Sequence, residues 1–252
     1  MHSGPFSPLP PGHASAEDPQ KSATGEHAAA AHSLCSFSGG KDSCLALWLA
    51  KRRGFNVRTL LVMFDESGKG VRSHAIPLAL MRQQAQALGC ELMACNASWK
   101  SYEEVFIGAL RELRSRGHRY AIFGDIDLQA HRDWEEKVCS AADIEAVLPL
   151  WHNDRLQLAD EVVAAGFRAI VVCTDSRYLG SEFCGREYDA RFIADLPPGV
   201  DACGENGEFH TFVYDGPCFQ QPVRFQLEGF DDYTAPAEYG ATRYRFARLV
   251  SA

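Results

Sequence analysis

The chain has no C-x-x-C pair. Its nine cysteines are scattered, and the closest two, Cys90 and Cys95, have four residues between them. That spacing offers no structural zinc site and no dithiol redox motif. The count is odd, and Cys35, Cys95 and Cys173 sit inside apolar runs, so buried free thiols in a reducing, cytoplasmic setting are expected. No run approaches the ~20 apolar residues of a membrane span, and no membrane partner is expected. Positive charge is also scarce: 25 Lys and Arg stand against 33 Asp and Glu, for a formal net charge of −8. A broad nucleic-acid footprint is therefore not expected, and any anionic ligand must be held by a local site. There is no internal repeat. Residues 1–32 lack the basic start and apolar centre of a secretory signal. They carry Pro5, Pro8, Pro10, Pro11 and Pro19 among small and polar residues, which predicts a disordered tail, with Glu26–His32 as an alternative short helix.

What remains is ordinary globular composition, 46% hydrophobic and 23% charged, in 252 residues. That is enough for one large domain, or a medium one with a smaller partner. Within it, Ser38-Gly39-Gly40-Lys41-Asp42-Ser43 follows the short apolar run Leu34–Phe37 and precedes the helix-like Cys44–Ala50. Strand, glycine turn and helix in that order aim backbone N–H groups and the positive end of a helix dipole at one point. Such a point suits a phosphate or pyrophosphate. Gly39 and Gly40 let the backbone approach an anion, Lys41 adds a mobile point charge, and Ser38 and Ser43 add hydroxyls. A lysine there is not expected to be a core residue, so its loss should leave the fold intact. The bland alternative is a serine-glycine turn capping a helix. Lys-Asp-Ser in register behind an apolar strand weighs against it.

Strands and helices then alternate. Leu60–Phe64 is an uninterrupted apolar run, as in a strand buried on both faces. Asp65–Gly70 is a polar loop, Pro77–Leu88 a helix closed by Gly89, and Glu91–Cys95 a third strand. Ser101-Tyr-Glu-Glu104 has capping-box spacing ahead of a helical stripe, Val105, Phe106, Ala109, Leu110 and Leu113. Tyr120–Phe123 is a fourth strand. Beyond Pro149-Leu-Trp151, Asp154–Ala165 reads as a helix and Ala169–Cys173 as a fifth buried strand. Alternating sequence at 223–228 and a final run, Tyr244–Val250, predict antiparallel strands at the edge of the fold. The pattern implies an α/β fold with a doubly wound parallel sheet. Ligands bind such sheets beyond the strands' carboxyl ends, so the loops 38–43, 65–70 and 124–127 should meet in one crevice. The expected organisation is a tail over 1–32, a domain carrying the phosphate-binding loop over 33–150 and a smaller substrate-binding domain over 151–252.

Two further clusters carry chemistry. Asp125 and Asp127 follow the fourth strand behind Gly124, where acids hold a metal or a ribose, or merely cap a helix. Gly204-Glu205-Asn206-Gly207-Glu208-Phe209-His210-Thr211 packs two carboxylates, an amide and an imidazole between glycines. Glu205 and Glu208 are candidates to bind a cation or position a nucleophile, and His210 to exchange a proton near neutral pH. A solvated glycine turn is the alternative.

Ser38–Ser43 resembles the PP-loop of the ATP pyrophosphatase superfamily and does not match Walker A. Together with Gly124-Asp-Ile126, Arg132, Trp134, Pro149-Leu-Trp151, Gly204–Thr211 and Asp215-Gly-Pro217, it is similar to the diphthine–ammonia ligase (diphthamide synthase) family from about residue 33 to 225. The resemblance implies a HUP-type doubly wound sheet with a smaller C-terminal α+β domain. It also implies an ATP-dependent ligase that adenylates a carboxylate, releases pyrophosphate and transfers ammonia. ATP would lie on Ser38, Gly39, Gly40, Lys41, Asp42, Ser43 and Gly124, with Mg²⁺ on Asp42 or Asp125. Lys41, Asp125, Glu205, Glu208 and His210 would be the catalytic group. The acceptor would be a small-molecule or protein-borne carboxylate, and a homodimer is an admissible assembly.

Members acting on diphthine of elongation factor 2 carry Glu-Gly-Gly-Glu-Tyr/Phe-Glu in this turn. Here Asn206 and His210 replace a glycine and an acid, a variant similar to bacterial relatives linked to cobalamin metabolism, where a corrinoid-pathway carboxylate would be the acceptor. Two rival readings are a tRNA-thiolating PP-loop enzyme, disfavoured by charge and by the missing C-x-x-C, and a non-enzymatic ATP or AMP sensor.

Overall fold

The structure, a computed structural model, describes residues 31–66, 74–236 and 241–252. The expected tail up to residue 30, and the loop 65–70 from residue 67 onward, lie outside the described residues.

Five strands form a parallel sheet in the order β3-β2-β1-β4-β5: β1 (His32–Ser36), β2 (Asn56–Phe64), β3 (Glu91–Asn96), β4 (His118–Ile122) and β5 (Glu145–Val147). Helices α1 (Lys41–Arg52), α2 (Leu78–Ala87), α3 (Tyr102–Ser115) and α4 (Gln129–Ser140) connect them. Successive residues of a strand point to opposite faces, which explains the unbroken apolar runs. Leu60, Val62 and Phe64 join one core with Leu45 and Leu47 of α1 and Leu80 of α2. Leu61 and Met63 join the other, with Phe106 and Leu110 of α3 and Val138 of α4. The sheet is therefore doubly wound, with α1 and α2 on one face and α3 and α4 on the other. Edge strand β3 is only half-buried.

A second sheet, antiparallel, has the order β7-β6-β9-β8: β6 (Arg168–Asp175), β7 (Phe209–Asp215), β8 (Phe225–Thr234) and β9 (Arg243–Ser251). With α5 (Arg155–Ala164) and the short α6 (Ala190–Ala194) it makes the smaller α+β unit. This is the HUP-type arrangement that the resemblance implied.

The strand expected at Ala169–Cys173 forms, within β6 of the second sheet, while the parallel sheet's fifth strand is the three-residue β5, which the apolar pattern did not show. A continuous apolar run reports burial on both faces but not which sheet provides it. The Ser101 capping box does not form. Ser101 sits at φ −100° and ψ 0°, not extended, and its hydroxyl accepts from the Ser98 amide at 3.1 Å.

The two sheets are stitched together behind the glycine loop. Gly39 O accepts from Val213 N at 2.9 Å and from Gln84 Nε2 at 3.0 Å. Gln84 Nε2 also reaches Val213 O at 2.5 Å. The apolar core is continuous across the junction. In the parallel sheet the chain runs from β1 outward to β3 and returns to β4, so the loops after β1 and β4 part company. Such a switch point leaves a crevice for a ligand. Among the described residues no helix is long and apolar enough to cross a membrane.

Candidate active site

The chain passes from β1 to α1 in four residues. Gly39 takes φ +83°, a conformation that L side chains rarely adopt. Gly124, at the end of β4, is required for a different reason. A Cβ there would stand 2.9 Å from Ser43 N and 3.0 Å from Asp42 C, so glycine lets the β4 loop lie directly against the first turn of α1. The serine hydroxyls knit the loop itself. Ser38 Oγ accepts from Gly40 N at 3.2 Å and pairs with Ser43 Oγ at 3.2 Å, and Ser43 Oγ donates to Gly40 O at 3.0 Å.

Above this floor opens a cavity of about 390 Å³. Ser38, Lys41, Asp42, Ser43, Gly124, Asp125, Glu205 and His210, all expected from the sequence, line it together. Gly39 and Gly40 lie behind that lining. Leu61, Met63, Tyr102 and Phe123 form an apolar wall. The Gly204–Thr211 turn, carried by β7, supplies the opposite side, so the cavity is closed by both sheets.

Lys41 differs from the expectation of a mobile, non-core charge. It is 3% exposed. Its Nζ lies 2.7 and 3.0 Å from the two Asp42 carboxylate oxygens and donates to Cys203 O. The rings of Phe209 and Tyr188 face it at 5.5 and 5.7 Å. Burial works against its charge, but Asp42 beside it raises its pKa overall. Burial alone would push Asp42 toward its neutral form, and the ammonium opposes this. The short contacts to both oxygens are those of an ion pair, and that is the state we assign. The Lys41 amide is also engaged, donating to Thr211 Oγ1 at 3.0 Å.

Asp125 accepts from His131 Nδ1 at 2.7 Å. Burial pushes its pKa up, but hydrogen bonds with His131 and Glu135 outweigh this and hold it below the usual range. Glu135, 4% exposed, is pushed up to about 11 by burial and by Asp125, so it is protonated and serves as the donor. Glu205 is pushed up to about 8, by burial first and then by Asp42, with Asp125 adding to it. Three carboxylates thus face one space with a single lysine between them. Among the described residues no three His, Cys, Asp or Glu side chains form a ready-made metal cage. Mg²⁺, however, takes one or two carboxylates and completes its shell with water and phosphate oxygens. Hard oxygen donors crowded enough to raise a carboxyl pKa suit such an ion.

Other expectations are redistributed. Glu208 does not face the cavity. It is 1% exposed, and its oxygens accept from the Asn206 amide (2.9 Å), the Asn206 side chain (2.9 Å) and Asp201 N (3.3 Å). Its carboxylate builds the turn that presents Glu205. Asp127 is taken by Arg155, which binds both its oxygens at 2.8 and 2.5 Å and reaches Asp201 at 2.8 Å. Asp201 in turn holds the amides of Cys203 and Glu205, so Arg155 ties the β4 loop to the turn. His210 is not a near-neutral proton exchanger. Burial, then the Lys41 ammonium, push it down to about 4, and it is a neutral imidazole at neutral pH.

His74, Arg155 and Gln84 were not singled out by the sequence reading. His74 faces His210 at 4.6 Å between ring centroids. The rule that ligands sit at the carboxyl ends of strands would have directed attention to His74, since it lies in the connection from β2 to α2. Arg155 and Gln84 carry no local signal. Of the nine cysteines only Cys203 lines the cavity, and burial pushes its thiol up to about 12.

Family models decide kinship. Residues 31–146 match the diphthamide synthase N-terminal domain and residues 154–234 the diphthamide synthase C-terminal domain. The chain belongs to the diphthamide synthase family. Diphthine–ammonia ligase of Schizosaccharomyces pombe is 25% identical over 209 residues, 74% of this chain and 34% of that protein. The Danio rerio enzyme of that name is 28% identical over 94 residues, 35% of this chain and 36% of the relative. The Homo sapiens one is 26% identical over 119 residues, 45% of each. The chain spans between a third and a half of the length of these relatives. A solved structure described as a predicted subunit of tRNA methyltransferase from Methanocaldococcus jannaschii aligns with a TM-score of 0.41 at 15% identity, over 77% of this chain and 100% of that one.

Proposed function

We propose that this member of the diphthamide synthase family is an ATP-dependent ligase that converts a substrate carboxylate to an amide with ammonia. One observation carries the reading. The anion-seeking N-terminus of α1 and a turn bearing Glu205 and His210 open into the same cavity at the sheet's switch point. The first can hold a triphosphate, and the second can hold what reacts with it.

In this scheme the loop Ser38–Ser43 binds the β- and γ-phosphates through the α1 dipole and the serine hydroxyls. The apolar wall of Leu61, Met63, Tyr102 and Phe123 takes the base. A carboxylate oxygen of the acceptor attacks the α-phosphorus. The bond to the β-phosphate oxygen breaks, and pyrophosphate leaves with the electron pair. Donors set in place beforehand stabilise that growing charge without reorganising. Ammonia then attacks the acyl carbon, AMP departs, and the attacking nitrogen loses a proton. Glu205, with its carboxyl pushed up to about 8, is matched to receive that proton near neutral pH. Asp42 and Asp125 would hold Mg²⁺, which would neutralise phosphate charge. Asp125 is kept ionised for this by His131 and the protonated Glu135.

The acceptor is a different question from the chemistry. Where the diphthine-type pattern has an acid, this chain has His210, neutral and facing the cavity. A site that offers an imidazole in place of a carboxylate matches a different acceptor group, because buried polar groups left unmatched discriminate strongly. A carboxylate other than diphthine, corrinoid precursors among the candidates, is therefore the favoured acceptor. The thiolation reading lacks a reactive cysteine in the cavity, since Cys203 is held as a thiol.

The test is pyrophosphate and AMP release by the purified protein with ATP, Mg²⁺ and ammonium, scanned over candidate carboxylates and small-molecule cell extract. Acceptor-dependent release of both products, lost in Glu205→Gln, is expected. Release of ADP and phosphate in their place, or ATP binding with no turnover on any acceptor, overturns the ligase reading.

A further inference from the structure

The lysine of the phosphate loop does not point freely at the phosphates. Its ammonium is occupied by Asp42 and by the Cys203 carbonyl. Beyond the serine hydroxyls, a triphosphate bound here would gain from a side-chain donor on another element. His74 is placed to provide one. A Cβ built on Gly40 would stand 2.9 Å from His74 Nε2, so this nitrogen lies directly over the loop's second glycine. The ring lines the same cavity as Ser38, Asp42 and Ser43. Among the described residues neither the His74 nor the His210 ring makes a hydrogen bond to another protein group. The stack with His210 at 4.6 Å and a 42° tilt sets the orientation of the His74 ring.

We propose that His74 is a pyrophosphate-binding residue of this cavity, donating its ring N–H over Gly40 to an oxygen of the β- or γ-phosphate. The inference rests on the nucleotide reading above and adds a residue to it. A neutral imidazole has one N–H donor and one acceptor nitrogen. Burial, His210 and the Lys41 ammonium all hold His74 well below its ordinary pKa, so the free ring is neutral. It can then bind phosphate without placing a second cation beside Lys41. His210, the other ring of the pair, also lines the cavity and remains available to the acceptor. The ring pair thus stands at the boundary between nucleotide and acceptor.

The experiment is calorimetric titration of the full chain with inorganic pyrophosphate plus Mg²⁺, with ATP, and with AMP. Two variants separate hydrogen bonding from packing. His74→Phe keeps a ring against His210 but has no donor, and His74→Gln keeps a neutral N–H donor. Pyrophosphate and ATP affinity should fall on the order of tenfold in His74→Phe, the loss of one hydrogen bond to a charged group. His74→Gln should stay within about threefold of wild type, and AMP binding within about twofold in both. Wild-type affinity for pyrophosphate in His74→Phe overturns the proposal while leaving the ligase reading intact. Equal losses for AMP and pyrophosphate make His74 a packing residue and also overturn it. A wild-type protein that binds neither ATP nor pyrophosphate overturns both readings together.

Discussion

Gly124→Ala is the sharpest test of how the proposed phosphate site is built. The added methyl would meet Ser43 N at 2.9 Å, Asp42 C at 3.0 Å and Asp42 O at 3.1 Å. All three are backbone atoms of the first turn of α1, so no flexible side chain can swing aside. Ordinary contact would require the β4 loop and the helix start to separate by about half an ångström. Overpacking of this kind costs roughly 1–3 kcal/mol. At ~2–4 °C per kcal/mol for a chain of this size, the melting temperature should drop by several degrees. The affected amides are those proposed to face the phosphates, and small misplacements weaken a preorganised site steeply, so ATP affinity should fall on the order of tenfold. Thermal unfolding and ATP calorimetry on the same preparation measure both effects. Gly108→Ala is the control: this glycine lies exposed in α3, and nothing stands within 4 Å of an added Cβ. It should gain about 0.5–1 kcal/mol and leave ATP binding unchanged. If Gly124→Ala melts and binds ATP like wild type, the helix start and the β4 loop are not in the tight contact on which the phosphate site depends.

Two further outcomes follow from buried charge. Lys41→Met removes the cation from a pair whose lysine is 3% exposed, leaving the Asp42 carboxylate and the Cys203 carbonyl without it. A stability loss of about 3 kcal/mol is expected in urea unfolding, together with loss of pyrophosphate release. A midpoint unchanged from wild type would mean that the pair is not buried in solution. Glu135 is raised from 4.5 to about 11, so above pH ~5 the folded protein keeps a proton that the unfolded chain gives up. Its contribution to stability therefore falls as pH rises between those values. Glu135→Gln, which keeps a neutral donor toward Asp125, should gain on wild type progressively from pH 5 to pH 9, by chemical denaturation at each pH. A constant difference across that range would show that Glu135 is ionised in the fold.

What the sequence determined by itself is what depends on neighbours along the chain. The Ser38–Ser43 turn from β1 into α1 could be read because strand, glycine turn and helix start follow one another along the chain. The alternation of β1 to β4 with α1 to α4 could be read because helix and strand periods are local. The composition of the 204–211 turn was visible for the same reason. Tertiary structure decided what depends on residues far apart. Lys41 became a buried anchor because Tyr188, Cys203 and Phe209, more than 140 positions away, close around it. Glu208 turned inward and Glu205 outward because Asp201 and the turn's own amides took up one carboxylate and left the other facing Asp42 and Asp125. His210 lost its near-neutral pKa to burial and to the Lys41 ammonium, neither of which any window of sequence around it contains. His74 gained its place only where the β2–α2 connection meets β7. Electrostatics and burial act through space, so in this chain the backbone site was legible in the sequence and the charge state of nearly every side chain in it was not.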